Sequence, residues 1–397
     1  MGGQTNNTLG IIIVTYMSAD VIADCLESLS RSHHTAIRIV VCDNASPDHT
    51  RDVIRDWAAT KAQQYQELTA GQIPAARNAP ASPPPTLPPD ASLSGMFPPA
   101  VTGAPAPAPS AAPPPPPAAT NTPVNNTPVN NASVSNAALT LLRCPVNTGY
   151  AAAANQGIRL LQQDAQVNLF WVLNPDCVVP PETASAFVAE AAKSAFSLMG
   201  GRIIYLGEEA IIQSDGGHVS HWTGRVKNLN QGLLTSEAPD LPDSARRFIS
   251  GASMVASREF IKNAGLMHED YFLYFEEVDW ATRRGDLPLI WCPAAVVHHH
   301  GGTVIGTGAV NRAPTAFANY FNFRNRMRFI FRINPVAVPV AYAYSVLKIL
   351  KILLTESVAQ ARGAWRGLHG LAPPAEVADR IAPDARKLAF AKSGEPK

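Results

Sequence analysis

Four short apolar runs restrict this chain more than anything else in it: LGIIIVTY (residues 9–16), IRIVVCD (37–43), LTLLRC (139–144) and VNLFWVL (167–173). Each is of strand length and almost free of polar side chains, as a strand covered on both faces must be. Between them lie stretches with helical spacing. Residues 19–32 carry Val21, Ile22, Cys25, Leu26 and Leu29 on one face, and further helices are expected at about 50–68 and about 151–165. Strand and helix alternating at this rhythm predict an α/β fold with a doubly wound, mostly parallel sheet. Ligands of such sheets bind beyond the carboxyl ends of the strands, so chemistry is to be sought where the apolar runs stop.

One segment breaks the rhythm. Residues 71–130 hold 19 of the 35 prolines and only two charged residues, Arg77 and Asp90, and 121–130 repeat the pentapeptide NTPVN. Such a stretch can neither build a core nor sustain a hydrogen-bond ladder, so 71–136 reads as a disordered or polyproline-like insertion. Placed after an expected helix and before a strand, it should leave from the amino edge of the sheet, away from the chemistry. The organisation is then an α/β domain over 1–70 and 137–312, the insertion, and a C-terminal helical extension over 313–397.

The 32 basic and 31 acidic side chains nearly balance, which argues against a nucleic-acid partner. Five scattered cysteines without a C-x-x-C pair read as free thiols in a reducing compartment. The N-terminus, MGGQTNNTLGIIIVTY, lacks the basic region and long apolar core of a secretory signal, so a cytoplasmic location is expected.

Three segments carry carboxylates where strands should end. Asp43 closes IRIVVCD, where it can accept a hydrogen bond from the imide N–H of a pyrimidine base or cap the following helix, as Ser46 or Asp48 also could. Asn174-Pro175-Asp176 closes VNLFWVL; a carboxylate beside a φ-locked proline suits a hard cation bridging two phosphates, and equally a plain turn. In YFLYFEEVDWATRRG an aromatic, strand-like run leads into Glu276, Glu277 and Asp279. On a helix starting near Glu276, Glu276 and Asp279 share a face and Glu277 lies about 100° round. Acids favour a helix N-terminus and Asp279 can pair with Arg283, but a carboxylate desolvated among aromatics also has its pKa raised, as a general base requires. Finally, AAVVHHHGGTV (294–304) ends in three histidines; on a strand His298 and His300 share one face and His299 the other.

In this order, the segments IIIVTYMSA, VVCDNASPDHT, VNTGYAAAANQGI, FWVLNPDCVV, ISGASMVASREF, YFLYFEEVDW and VVHHHGGT resemble the inverting family 2 glycosyltransferases of GT-A fold, most closely a bacterial rhamnosyltransferase-like branch. The resemblance implies a nucleotide-sugar donor, a polysaccharide or lipid-linked oligosaccharide acceptor, and Mg²⁺ or Mn²⁺. It assigns nucleotide-sugar binding to Thr15, Asp43, Asn155, Asn174, Gly251 and Ala252. The metal falls to Asp176 and to His298, which opens H-x-x-G-x-T, with His300 as the same-face alternate and His299 outside the site. The base is Glu277, with Glu276 and Asp279 beside it. Two positions depart from the family pattern: Met17 stands where Asn is usual, and Glu277 where Asp is usual. The rival class is a non-catalytic sugar-nucleotide-binding or scaffold protein that keeps the fold.

Past the histidines, Arg324, Arg326, Arg328 and Arg332 precede a mostly apolar stretch, 335–354, that includes Lys348 and Lys351. The lysines argue against a span, leaving an interfacial helix with snorkelling lysines at the inner face of the cell membrane, or a helix buried on the domain.

Overall fold

The computed structural model describes residues 8–72, 138–207, 210–301 and 313–391. The expectations for most of the Pro-rich insertion, for the extreme N-terminus and for Thr303 of the histidine motif lie outside the described residues. The chain on both sides of the insertion, Met1–Pro84 and Val134–Lys397, forms one compact unit, so the C-terminal helices are part of the domain rather than an appended one.

The first half follows the expected alternation: β1 (Thr8–Thr15), α1 (Ile22–Ser30), β2 (Ile37–Asp43), α2 (Thr50–Lys61), β3 (Gln64–Thr69), β4 (Ala138–Arg143), α3 (Tyr150–Leu161) and β5 (Val167–Leu173). The second half is more irregular. It contains β6 (Cys177–Val178), α4 (Thr183–Ala191), β7 (Leu198–Tyr205), β8 (Ile212–Ser214), β9 (Gly217–Val219), β10 (Val226–Asn228), β11 (Ser253–Ser257), α5 (Arg258–Ala264), α6 (Glu276–Thr282) and β12 (Ile290–His299). Three longer helices close the described chain: α7 (Ala316–Ile333), α8 (Val338–Thr355) and α9 (Val358–Leu368), followed by two short turns of helix.

The main sheet runs β3-β4-β2-β1-β5-β11-β7-β12-β6, with β8 paired to β7. Strands β1 to β5 are mutually parallel, and β11 enters antiparallel between β5 and β7. Alternation along β1 divides the core. Ile11 and Ile13 face α1, α2 and α4, while Ile12 and Val14 face α3 and the later helices. Phe329 and Ile330 of α7 belong to that second core, which is why the C-terminal helices do not form a separate body.

One expectation fails here. The helix anticipated at about 50–68 stops at Lys61, and Gln64–Thr69 is the outermost strand. An edge strand is paired along one side only and shows water much of its surface, so QYQELT carries no apolar alternation to announce it. Because β3 is parallel to β4, the insertion leaves from the carboxyl edge of the sheet, not from the amino edge.

Candidate active site

The site is built where strands stop. Thr15 and Asp43 end β1 and β2 side by side in register, and the Thr15 hydroxyl donates to Asp43 Oδ1 at 3.3 Å. Asp43 is wholly buried; burial raises its pKa and outweighs the opposing contacts from Ser46, Arg51 and Thr15. Beyond β1, Met17 has φ 54°, the left-handed conformation that Asn tolerates better than Met, and its side chain is 48% exposed at the rim.

Asn174, Pro175 and Asp176 turn the chain out of β5. The Asn174 N–H donates to the Ala252 carbonyl at 2.9 Å, which fixes the Gly251-Ala252 segment against this turn. Asp176 Oδ1 then meets a histidine Nε2 at 3.0 Å, and that histidine is His299. This overturns the assignment of His298. The alternation read from the sequence is right, but the face that bears the site is the other one: Ala295, Val297 and His299 point inward, whereas His298 lies in register with Val178 and lines a groove with Ser28, Arg31 and Pro180. His300 is exposed beyond the strand end.

His299 is held from both sides. Its Nδ1 lies 2.8 Å from Gln213 Oε1 and its Nε2 3.3 Å from the Asn174 amide nitrogen. With Gln213 accepting at Nδ1, Nε2 is left to accept from the Asn174 amide and is placed to share a cation with the Asp176 carboxylate. Burial alone would raise Asp176, but the hydrogen bond and charge of His299 outweigh it and hold the carboxyl below its usual range. Asp176, Cys177 and His299 present ligand atoms within 4.8 Å of one another. The Asp176 carboxylate is the donor that suits Mn²⁺ or Mg²⁺ best, imidazole suits Mn²⁺ better than Mg²⁺, and the Cys177 thiol, which donates to the Ala252 carbonyl at 3.5 Å and is kept protonated by burial, suits neither.

The acidic segment is reached differently. The aromatic run before it is not a strand: after a single helical turn at Glu269–Tyr271, Phe272, Tyr274 and Phe275 take φ values of 65°, 69° and 76°. Non-glycine residues there cost on the order of 1–3 kcal/mol each, so something must hold them. Helix α7 does. The Asn325 amide nitrogen lies 3.0, 2.7 and 3.0 Å from the carbonyls of Tyr271, Leu273 and Tyr274, and Arg324 donates to the Tyr271 carbonyl at 2.7 Å. From the other side, the Tyr150 N–H donates to the Phe272 carbonyl at 2.8 Å. Gly149 makes this approach feasible, with φ 87° and a position where a Cβ would fall 2.5 Å from the Phe272 oxygen.

The three acids separate in role. Asp279 is 2% exposed and fully engaged: Tyr271 Oη donates to it at 2.8 Å and Arg283 Nε at 3.0 Å, with Arg332 at 3.8 Å. It is a structural anchor, as the ion-pair reading of the sequence allowed, and leaves the catalytic set. Glu276 and Glu277 each have a buried Oε2 without a hydrogen-bond partner among the described residues. Burial, then the adjacent Glu277, pushes Glu276 well above the carboxylate range; burial also raises Glu277, against its backbone N–H contacts. Both carboxyls are raised by burial and by each other's proximity, so the pair readily holds one proton and leaves one carboxylate as an acceptor. A Cβ on Gly251 would lie 3.8 Å from the Glu277 side chain, so the pair borders the segment that also meets Asn174.

Tyr150 joins the two halves. Its hydroxyl donates to the Gly251 carbonyl at 2.8 Å, and burial followed by the charges of Glu276, Glu277, Cys177 and Asp176 raises its pKa far above the usual value. Asn155, expected beside the nucleotide, is instead consumed in the core, bonded to the backbone of Met267 and to Glu269. Tyr150, Gln213, His299 and Asn325 were not singled out by the sequence as site residues. His299 stands in the histidine run that the sequence marked, on the face set aside there, whereas Gln213 and Asn325 carry no local signal.

The family model described as glycosyl transferase family 2 matches residues 10–69 and 129–261. No curated protein matches the chain. Among solved structures, a mannosyltransferase from Pyrobaculum calidifontis in complex with GDP-Man and Mn²⁺ is similar at 15% identity and a TM-score of 0.43, covering 97% of this chain and 86% of that one. TarS from S. aureus, in a complex with UDP-GlcNAc, is similar at 12% identity and a TM-score of 0.46, covering 97% and 87%.

Proposed function

Since the chain belongs to glycosyl transferase family 2 and is a sugar transferase, we propose that it inverts the anomeric carbon of a nucleoside-diphosphate sugar, a hexose or a deoxyhexose such as rhamnose, onto a polysaccharide or lipid-linked glycan. The observation that carries this reading is that Asp176 and Glu277, one of whose carboxylate oxygens is buried with no hydrogen-bond partner among the described residues, both bear on Tyr150.

Asp43 and Thr15 would read the base, and Asn174, Gly251 and Ala252 would line the sugar. Asp176 and His299 would hold Mg²⁺ or Mn²⁺, whose charge offsets that developing on the departing diphosphate. Glu277 accepts the proton of the attacking hydroxyl, and Glu276, buried beside it and raised with it, shares the pair's proton. Tyr150 holds the Gly251 carbonyl and so fixes the wall between donor and base.

The apolar helix adds a location. Pro335–Thr355 is long and apolar enough by composition to cross a membrane, and Leu347 and Leu354 are 67% and 76% exposed. With Lys348 and Lys351 on the same helix, we place it flat on the inner surface of the cell membrane. The four arginines do not contribute as expected: Arg324, Arg326 and Arg328 reach backbone carbonyls of the domain, and Arg332 pairs with Asp270 at 2.5 Å.

The test is a panel of UDP-, GDP- and dTDP-sugars scored for nucleoside-diphosphate release with and without Mn²⁺. Release from one donor that stops on chelation supports the transferase; tight donor binding with no release under any acceptor would favour the scaffold.

A further inference from the structure

A row of cations lies between the base and the apolar helix, and the reactions above do not use it. In the β9–β10 ladder Lys227 stands directly opposite His218. On the other side of β9, Gly217 bridges Phe248 antiparallel, and the Arg247 N–H donates to the Gly217 carbonyl at 2.7 Å, which places Arg247 beside His218. Lys227, His218 and Arg247 are all exposed. Neighbours across a ladder stand only about 4.5–5.5 Å apart, so Lys227 and Arg247 flank His218 and disfavour its protonated form, a repulsion that an anion set on the row would relieve.

The row continues toward the acidic helix. Partial burial and then Arg247 and Lys227 lower the pKa of His218; burial and then Arg247, His218 and Arg284 lower that of His221; burial and then Arg247 lower that of Arg284. Every charge acting on these three groups is basic. Arg284 lies two residues past Thr282, the last residue of α6, and donates to the Ala281 carbonyl at 3.1 Å, so it stands at the far end of that helix from Glu277. At the opposite end, Arg225 and Arg326 are among the charges acting on Lys348 of α8.

We propose that Lys227, His218, Arg247 and Arg284 form the binding site for a phosphate-bearing segment of the acceptor, with its sugar directed at Glu277 and its other end toward α8. This rests on the transferase reading, and it names the acceptor class: an anionic glycan whose charge is a mono- or diphosphate. Three fixed cations, Lys227, Arg247 and Arg284, with the His218 imidazole as a hydrogen-bonding group among them, match a multivalent anion better than a single carboxylate. Arg284, near the end of the helix that begins with Glu276 and Glu277, ties the anion's position to that of the base.

Binding is measured with inorganic pyrophosphate, with a short alkyl diphosphate, and with phosphatidylglycerol vesicles, on the full chain in chelator, where the Asp176 site contributes no cation. Arg247→Gln with Lys227→Gln, and separately Arg284→Gln, should each weaken both diphosphates by roughly tenfold or more, as loss of a charge-assisted contact does, at unchanged melting temperature. Lys61→Gln, at a surface lysine of α2 paired with Glu27, should leave them unchanged. Equal binding by wild type and variants overturns the proposal, as does a loss confined to vesicles, which would make the row a membrane contact. Because no donor is present, these outcomes stand apart from the donor panel: release without diphosphate binding refutes the acceptor site alone.

Discussion

Asp43 and Asp176 sit where two parallel strands run out, at or just beyond a series of buried apolar side chains. Glu276 and Glu277 sit on a seven-residue helix, α6, behind three left-handed aromatic residues, held by an amide from α7 some 50 positions later. Asp176 from the first region and Glu276 and Glu277 from the second all bear on Tyr150. In the first, position follows from strand register, so neighbouring residues in sequence determine it. In the second, it follows from backbone carbonyls captured across the fold, and removal of a distant side chain should move it.

The largest effect expected from breaking this contrast is at the base itself. Glu277→Gln keeps the shape of the side chain but cannot take a proton, so single-turnover transfer should fall roughly 10²–10⁴-fold. The remaining pH profile sharpens the assignment. Since burial raises Glu277, wild-type activity should be lost on acidification at a pH above the ordinary glutamate range, and that limb should vanish in the variant.

Asn325→Ala comes next. It strips the side-chain donor from the Leu273 and Tyr274 carbonyls and leaves Tyr271's to Arg324 alone, so stability should drop by about 2–4 kcal/mol, and the base, no longer held in place, should lose on the order of 10–10² in rate. The equivalent loss at a strand end, Thr15→Val, should cost less than about 1.5 kcal/mol because the register of β1 and β2 survives it. Urea unfolding of both variants, with rates measured on the folded fraction, separates the two; equal penalties would erase the distinction between register and clamp.

Smaller, and opposite in sign along the pH axis, are two linkage effects. The raised Glu276 contributes stability that is full below the unfolded glutamate pKa and disappears as pH rises through its folded value, so Glu276→Gln should raise the melting temperature at pH 8 more than at pH 5. Burial alone would raise Asp270, but the charge and hydrogen bond of Arg332 hold it down; its contribution is present above the unfolded aspartate pKa and lost on acidification, so Asp270→Asn should destabilise most at neutral pH. Melting curves at both pH values check each sign. The smallest effect is at His298, which faces away from Asp176; His298→Ala should leave cation binding within about twofold, since removal of a solvated surface group is normally near neutral.

What the sequence made legible follows the same division. The four buried strands, the sites of Asp43 and Asp176, and the α/β class were readable because a strand enclosed on both faces has little freedom in composition. The strand β3 was not, since its QYQELT pattern reflects an edge that water touches. His299 was missed by a single residue: alternation separated the two histidine faces correctly, but only the pairing of β12 with β6 decides which face meets Asp176. Asn155 misled because a polar residue beside a nucleotide and one that closes a core turn look the same in one dimension. The run FLYF misled because its left-handed backbone is imposed by Asn325 and Arg324, which no local pattern connects to it.

Donor affinity and single-turnover rate, measured together on Glu277→Gln and His299→Ala at fixed Mn²⁺, test most directly the division between holding the donor and taking the proton. His299→Ala should lose roughly tenfold or more in Mn²⁺-dependent donor binding, while Glu277→Gln should bind donor as wild type does and fail only in transfer. Normal turnover by Glu277→Gln, or unchanged donor binding by His299→Ala alongside a loss in His298→Ala, would contradict it.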